Sequence, residues 1–282
     1  MSASAKVASL PPYVTLSGRI GRWLLDGWCI AALVFLMAPV LVVMPLAFNA
    51  DAYFTYPIRR FSLQWFHEFF TDETWRVAVK NSFVIGGAAT LIATTLGTLA
   101  SIGLTHPKLP GRALITAVLV SPMIVPVVIV AVGAYFFYSL LGIANSLGGL
   151  ILAHAALGTP FVVITVGATL AGFDRGLFRA ARSLGASPVT AFARVTLPII
   201  WPGVFSGALF AFATSFDEVV IVLFLGNVDQ RTIPRQMWTG LREQISPTIL
   251  AAAVVLIAIS VALLLVLEAL RRRNARLRGL RD

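Results

Sequence analysis

Two stretches of this sequence combine residue types and spacings that could do chemistry. The first is the pair Asp217–Glu218. Of twelve acidic residues, only these two lie well inside a long apolar run, while Asp26 and Glu268 stand at run ends and the rest in loops or tails. Ionisable groups in apolar surroundings are costly and mark functional positions. No lysine or arginine stands near them in the same run. On a continuous helix Asp217 shares a stripe with Phe210, Ala213, Thr214 and Phe224, and Glu218 points about 100° away. An uncompensated carboxylate beside aromatic rings suits an ammonium or related organic cation, which both carboxylates and ring faces attract. Trp238, in Met237-Trp238-Thr239-Gly240, could face the entrance to such a path. The same pair could instead hydrogen-bond to a partner subunit and serve assembly.

Catalysis is a poor reading of these carboxylates, because no His, Ser or Lys partner is positioned beside them. His67, His106 and His154 are far apart and lack ligand spacing. The single cysteine, Cys29, excludes an intrachain disulfide and a cysteine-cluster metal site. No Gly-x-x-x-x-Gly-Lys-Ser/Thr occurs, so the chain does not cradle ATP phosphates itself. No catalytic residue, metal or cofactor is expected, and ATP hydrolysis, if it drives this protein, belongs to another subunit. A channel or membrane scaffold would work without ATP and is the remaining alternative class.

The second stretch is the loop 174–198. Leu177, Ala180, Ala181 and Leu184 recur at i, i+3, i+4 and i+7, one apolar helical face, while Arg175, Arg179 and Arg182 line another. Gly185 can end that helix in the left-handed conformation. Ser187-Pro188 then reads as an N-cap followed by proline at the first helical position. The second short helix runs toward Val195-Thr196-Leu197-Pro198. The expected shape is helix, glycine corner, helix, with Ala180 and Ala181 small enough for another surface to come close.

These features need a frame to hold them. The 282 residues are 58% hydrophobic and 12% charged, with a mean hydropathy of +0.88. A soluble domain carries roughly 25% charged residues, so much of this surface must face lipid. Runs of roughly 20 apolar residues cross a bilayer as helices. Six candidates appear: Trp28–Phe48, Phe83–Leu104, Ala113–Leu141, Leu147–Leu170, Ile199–Leu225 and Ile249–Leu270. Pro122 and Pro126 make the third the one to kink. The first is too long for a cleaved signal and no small-x-small site follows it.

The net charge of +10 follows topology and does not suggest nucleic acid. The N-tail (Lys6, Arg19, Arg22), the second loop (Lys108, Arg112), the fourth loop (Arg175, Arg179, Arg182, Arg194) and the C-tail (Arg271, Arg272, Arg273, Arg276, Arg278, Arg281) hold most of the basic residues. The positive-inside rule puts these segments, and both termini, in the cytoplasm. The C-terminal run suits anionic membrane lipid. Asn49–Lys80 is then external, and its aromatics suit either the outer membrane interface or docking of an external protein. The expected division is a tail over 1–25, the first span and external loop over 26–75, a transmembrane domain over 76–268, and a basic tail over 269–282.

Arg179-Ala180-Ala181, three residues, Gly185, nine residues and Val195-Thr196-Leu197-Pro198 resemble the EAA loop of bacterial ABC importer permeases. There the pattern is Glu-Ala-Ala, three residues, Gly, nine residues, Ile-x-Leu-Pro. Lys80-Asn81-Ser82-Phe83 is similar to the entry of a span in the same family, and the likeness covers roughly Arg76 to Glu268. It implies an all-α integral membrane protein of the type I importer permease fold, with Arg179, Ala180, Ala181, Gly185, Leu197 and Pro198 in a coupling helix that sits in a groove of an ATPase subunit. Arg179 stands where the family has glutamate, so the facing groove should offer a carboxylate or carbonyls. The stretches Ser215-Phe216-Asp217-Glu218-Val219-Val220 and Arg231-Thr232-Ile233-Pro234 resemble the spermidine/putrescine branch. That likeness implies a second permease, two ATPase subunits, a periplasmic binding protein, and a polyamine or related cation as solute. Another small solute, such as an amino-acid derivative, opine or betaine, is the alternative. Asp217, Glu218, Phe210, Thr214 and Trp238 are the candidates along the path.

Overall fold

The computed structural model describes residues 16–106, 109–243 and 246–277. The expectations for Lys6, Lys108, Arg278 and Arg281 lie outside the described residues. Most of the described residues are helical, because backbone in lipid must satisfy its own hydrogen bonds. In chain order come α1 (Leu16–Leu46), α2 (Gln64–Thr71), α3 (Glu73–Leu104), α4 (Arg112–Ile124), α5 (Val127–Leu140) and α6 (Leu147–Ala171). They are followed by α7 (Arg175–Ser183), α8 (Pro188–Ala191), a π turn (Phe192–Thr196) and α9 (Leu197–Phe216). Then α10 (Val220–Leu225), a 3₁₀ turn (Val228–Gln230), α11 (Ile233–Glu243) and α12 (Thr248–Leu277) complete the chain. Among the described residues, five helices are long and apolar enough to cross a membrane, and the pair α4–α5 makes six if counted as one span.

The centre is a three-helix packing of α3, α6 and α9 around Ala89, Ala93, Ala155, Val162, Val166, Ile200, Val204 and Ala211. Helix association in lipid depends on close van der Waals approach, which small residues permit. Gly203 and Gly207, one turn apart on α9, supply it here. A Cβ on Gly203 would sit 2.2 Å from the Thr169 hydroxyl, and one on Gly207 would sit 2.8 Å from the Val162 Cα. Gly97 on α3 meets Val162 in the same way, at 2.7 Å.

Four expectations are corrected. The third run bends far more sharply than a kinked helix: α4 and α5 meet at 107° across the break, as a broken span or a re-entrant loop does. Val125 precedes Pro126 and is driven to an extended ψ of 134°, as steric clash with the proline ring demands. At about 1.5 Å per residue each half is about 20 Å long, too short for a bilayer core of about 30 Å. The fifth run is broken too, since α9 stops at Phe216 and α10 is a separate six-residue helix against α5 and α6. The outer runs extend further than expected: α1 begins at Leu16, taking in Arg19, Arg22 and Asp26, and α12 continues to Leu277.

The fourth correction concerns the aromatic segment Asn49–Lys80, which is partly packed inside the protein. Phe69 and Trp75 are buried with ring centroids 5.2 Å apart, against Ile233, Ile249, Ala251 and Ala252. The Trp65 Nε1 donates to the Asn49 carbonyl at 2.7 Å. Asp72 caps α3 by accepting from the Trp75 N–H at 3.1 Å.

Candidate functional site

The loop 174–198 folds by local rules. Asp174 Oδ1 accepts from the Gly176 N–H at 2.7 Å and caps α7. At the other end Ala186 N–H donates to the Ala181 carbonyl and Gly185 N–H to the Arg182 carbonyl, both at 3.1 Å. That crossed pair with Gly185 at φ +89° is the Schellman ending, which needs a left-handed residue. Arg182 Nη1 closes the corner on the Ala186 carbonyl at 2.7 Å. Ser187 then accepts from Thr190 N–H at 3.1 Å with Pro188 leading α8.

None of α7 is buried. Leu177 is 47% and Leu184 89% exposed, with Val189 of α8 at 75%, so the apolar face is formed and uncovered. Arg179 and Ala180 are exposed and Ala181 half-buried. Leu197 and Pro198 are placed differently from the rest of this set. Leu197 packs against the central core and Pro198 lies exposed in the first turn of α9. Proline lacks the N–H that would reach four residues back, and the backbone just before it widens so that Leu197 N–H bonds the Phe192 carbonyl. Through this π turn α8 and α9 form one rod, Pro188–Asp217.

The opposite end of the rod carries the acidic pair, and the helix break separates the two residues. Asp217 is the C-cap of α9, its N–H bonded to the Ala213 carbonyl at 3.1 Å. Glu218 turns away, and its Oε1 accepts from Val220 N–H at 2.6 Å and Ile221 N–H at 3.0 Å. Glu218 therefore satisfies the first amides of α10, where a carboxylate is favoured by orphan donors and dipole alike.

Asp217 has no ion-pair partner among the residues whose side chains are described. Its carboxylate borders two clefts. One, of about 340 Å³, lies between α9 and α12 and includes Phe210, Phe216, Leu256 and Ser260. The other, of about 310 Å³, runs under α11 past Pro234, Met237, Trp238 and Ile249. The break thus brings Asp217, Phe210 and Trp238 together. Thr214 and Glu218 border neither cleft, and Phe224 belongs to α10 instead of the expected stripe. Arginines of the adjoining segment are engaged elsewhere. Arg242 sits 5.3 Å over the Trp238 ring, Arg231 bonds Gln236 at 3.3 Å, and Arg235 bonds the Asn227 carbonyl at 2.6 Å. Burial, and then the charge of Arg231, hold the Arg235 pKa below the ordinary arginine value.

Long-range bonds fix this corner. Ser82 Oγ accepts from the buried Ile233 N–H at 2.8 Å, and Asn81 Nδ2 donates to the carbonyls of Asp229 at 2.8 Å and Arg231 at 3.0 Å. The Asn81-Ser82 and Arg231-Thr232-Ile233-Pro234 stretches, both singled out in the sequence, are therefore in contact. Two features escaped sequence reasoning. His154, 1% exposed, bonds through Nδ1 to Ser215 Oγ at 2.8 Å and ties α6 to the last turn of α9. A lone histidine amid an apolar span was the available signal. Thr90, Thr94 and Thr98 recur each turn of α3 with buried hydroxyls that find no partner among the described residues.

With this geometry in place, comparison with known proteins gives a consistent result. Residues 93–276 match the family described as binding-protein-dependent transport system inner membrane component. The chain is 30% identical over 240 residues, 85% of this chain and 93% of the relative, to the spermidine/putrescine transport system permease protein PotC of Haemophilus influenzae. It is 29% identical over 232 residues, 79% and 82% of the two chains, to the putrescine transport system permease protein PotI of Escherichia coli K12. In fold it is similar to a chain of a bacterial ABC transporter that imports the acidic polysaccharide alginate. That match has a TM-score of 0.69 at 16% identity and covers 92% of this chain and 98% of the other.

Proposed function

This chain belongs to the family of binding-protein-dependent transport system inner membrane components, and from that premise we propose which importer it serves and which residues do the work. It is a transmembrane permease subunit of an ABC importer, multi-pass in the inner membrane, with the type I permease fold. The solute in the proposal is a polyamine, putrescine or spermidine, or a closely related organic cation. The permease relatives named for those solutes support it. So does the chemistry of the acidic corner. Asp217 carries an unpaired carboxylate where an aromatic-walled cleft beside Phe210 meets a second cleft beside Trp238. A protonated amine would gain a charge-assisted bond from the carboxylate and cation–π attraction from a ring. Glu218, spent on α10, holds the break that presents Asp217.

At the other end, α7 is the coupling helix. The observation that carries this is an apolar face, capped at both ends, on which Leu177 is 47% and Leu184 89% exposed among the described residues. Arg179, Ala180, Ala181 and Gly185 shape the surface that enters an ATPase groove, and Leu197 and Pro198 root that surface in the bundle. Both termini and α7 are cytoplasmic, following the basic residues. A second permease completes the path, two ATPase subunits hydrolyse ATP, and a periplasmic binding protein delivers solute. ATP closure of the ATPase pair moves the coupling helices, the paired permeases open outward, and the cation passes Asp217 on its way in.

Uptake of radiolabelled putrescine and spermidine by cells carrying the complete transporter tests the reading. Asp217→Asn keeps the side chain's size and removes its charge. Uptake is expected to fall tenfold or more while assembly with the partners stays normal. Undiminished uptake by this variant would overturn the cation site, and failure of the wild type to take up either amine would remove the solute.

A further inference from the structure

At the end of the bundle far from Asp217, the C-terminal halves of α3 and α6 diverge from the start of α4. They leave a cleft of about 420 Å³ with a graded lining. Arg112, Thr105 and Arg175 line it from the helix ends, and Val120, Val163 and Ile164, with the hydroxyls of Ser101 and Thr116 among them, line it further along the helices. No acidic residue lines it. Arg175 donates one guanidinium nitrogen to the Thr105 carbonyl and keeps its other donors. Among the described residues the exposed Arg112 guanidinium donates no hydrogen bond and makes no ion pair, and α4 buries none of its side chains. The wall on α6 is cut away at Gly167, where an added Cβ would meet nothing within 4 Å.

Two cations at the helix ends and a mainly apolar trough beyond them match a molecule that is anionic at one end and alkyl along its length. We propose that this cleft binds one anionic phospholipid, its phosphate at Arg112 and Arg175 and an acyl chain along Ile164, Gly167 and Val120. A soluble anion would gain nothing from the trough, and a zwitterionic lipid would bring a cation to a lining that holds no carboxylate, the nearby Asp174 being engaged with the Gly176 N–H. Arg175 opens α7, so the lipid would be held at the base of the coupling helix. The site is distinct from the basic C-terminal run. It rests on the orientation proposed above only for which leaflet supplies the lipid.

The test is native mass spectrometry of the complete transporter, solubilised and titrated with phosphatidylglycerol or with phosphatidylcholine of the same chains. The wild type is expected to retain phosphatidylglycerol preferentially. Arg112→Gln is expected to reduce that retention threefold or more, Arg112→Lys to preserve most of it, and Gly167→Leu to block the trough and reduce it as far as Arg112→Gln does. Equal retention of the two lipids, or unchanged retention by both Arg112→Gln and Gly167→Leu, would overturn the site. Orientation is read separately by labelling Arg112→Cys, in a Cys29→Ser background, with a membrane-impermeant maleimide. Labelling from outside the cell would overturn the assigned leaflet while the retention result still decides the site.

Discussion

At what the proposed orientation makes its inner end, the long rod that ends in α9 grows out of a corner held mostly by near neighbours. Arg175 reaches the Thr105 carbonyl 70 residues away, and the other bonds that shape the corner join residues two to five positions apart, from Asp174–Gly176 to Ala186–Ala181. At its outer end the acidic corner is held by bonds across 148, 150 and 151 residues to α3 and across 61 residues to α6. The contrast fits the proposed role of each end. A face that docks into another subunit is best shaped before that subunit arrives, and capping within α7 and α8 does most of that shaping. A corner assembled from α3, α6, α9 and α11 changes whenever those helices shift, as a gate along the proposed solute path would.

The sharpest way to break the comparison is to damage what both ends share. Gly207→Val drives a branched side chain into the Val162 backbone on α6, an overpacking worth about 3 kcal/mol. The detergent-solubilised complex should lose several degrees of melting temperature and most of its uptake. A variant that melts like the wild type would show that the α6–α9 contact is slack. Next comes a lesion confined to the inner end. Gly185→Val puts a β-branched residue at φ +89°, a strain of about 2 kcal/mol. ATP hydrolysis by the assembled complex should persist while uptake collapses; normal uptake would remove α7 from the coupling role.

Ser82→Ala confines the damage to the outer end. It leaves the buried Ile233 N–H without its acceptor, at about 1–2 kcal/mol. Hydrogen exchange over residues 229–235 should quicken several-fold with α7 unchanged, and faster exchange in both regions would mean the two ends are not separable. The smallest effect belongs to Glu218→Gln. The amide oxygen can still accept from Val220 and Ile221, so only the charge at a six-residue helix start is lost, roughly 0.5 kcal/mol. Uptake should stay within about twofold of wild type. A loss as deep as that of Asp217→Asn would return Glu218 to the solute path.

The same difference explains what could be read from the residues alone. The α7 corner was legible because Gly185, Ser187 and Pro188 act within a turn of their own position. The spans were legible as apolar runs, and the broken ones were not. Apolar periodicity continues on both sides of Asp217, so Ile199–Leu225 reads as one helix. What breaks it is Glu218 turning to cap α10 and α10 packing against α5. Pro122 and Pro126 announced a bend, but its size depends on where α5 finds its partner. Gly203 and Gly207 carried the packing signal of α9 openly, at four-residue spacing, and only their contacts with Thr165, Thr169 and Val162 reveal its purpose.

The π turn at Phe192–Thr196 has a consequence for how this chain can change by insertion and deletion. A wide turn holds about one residue more than an ordinary helical turn. Removing a single residue from it would restore a regular helix, and that would be among the gentlest deletions a membrane span could undergo. Four residues of regular helix turn through about the same angle, roughly 400°, as the five of this wide turn. The deletion would leave α8 and the corner before it facing as they do now, whereas removing a residue from the regular helix of α9 would swing them by about 100°. The wide turn is therefore a stretch of the rod Pro188–Asp217 that can lose a residue while both ends keep their directions.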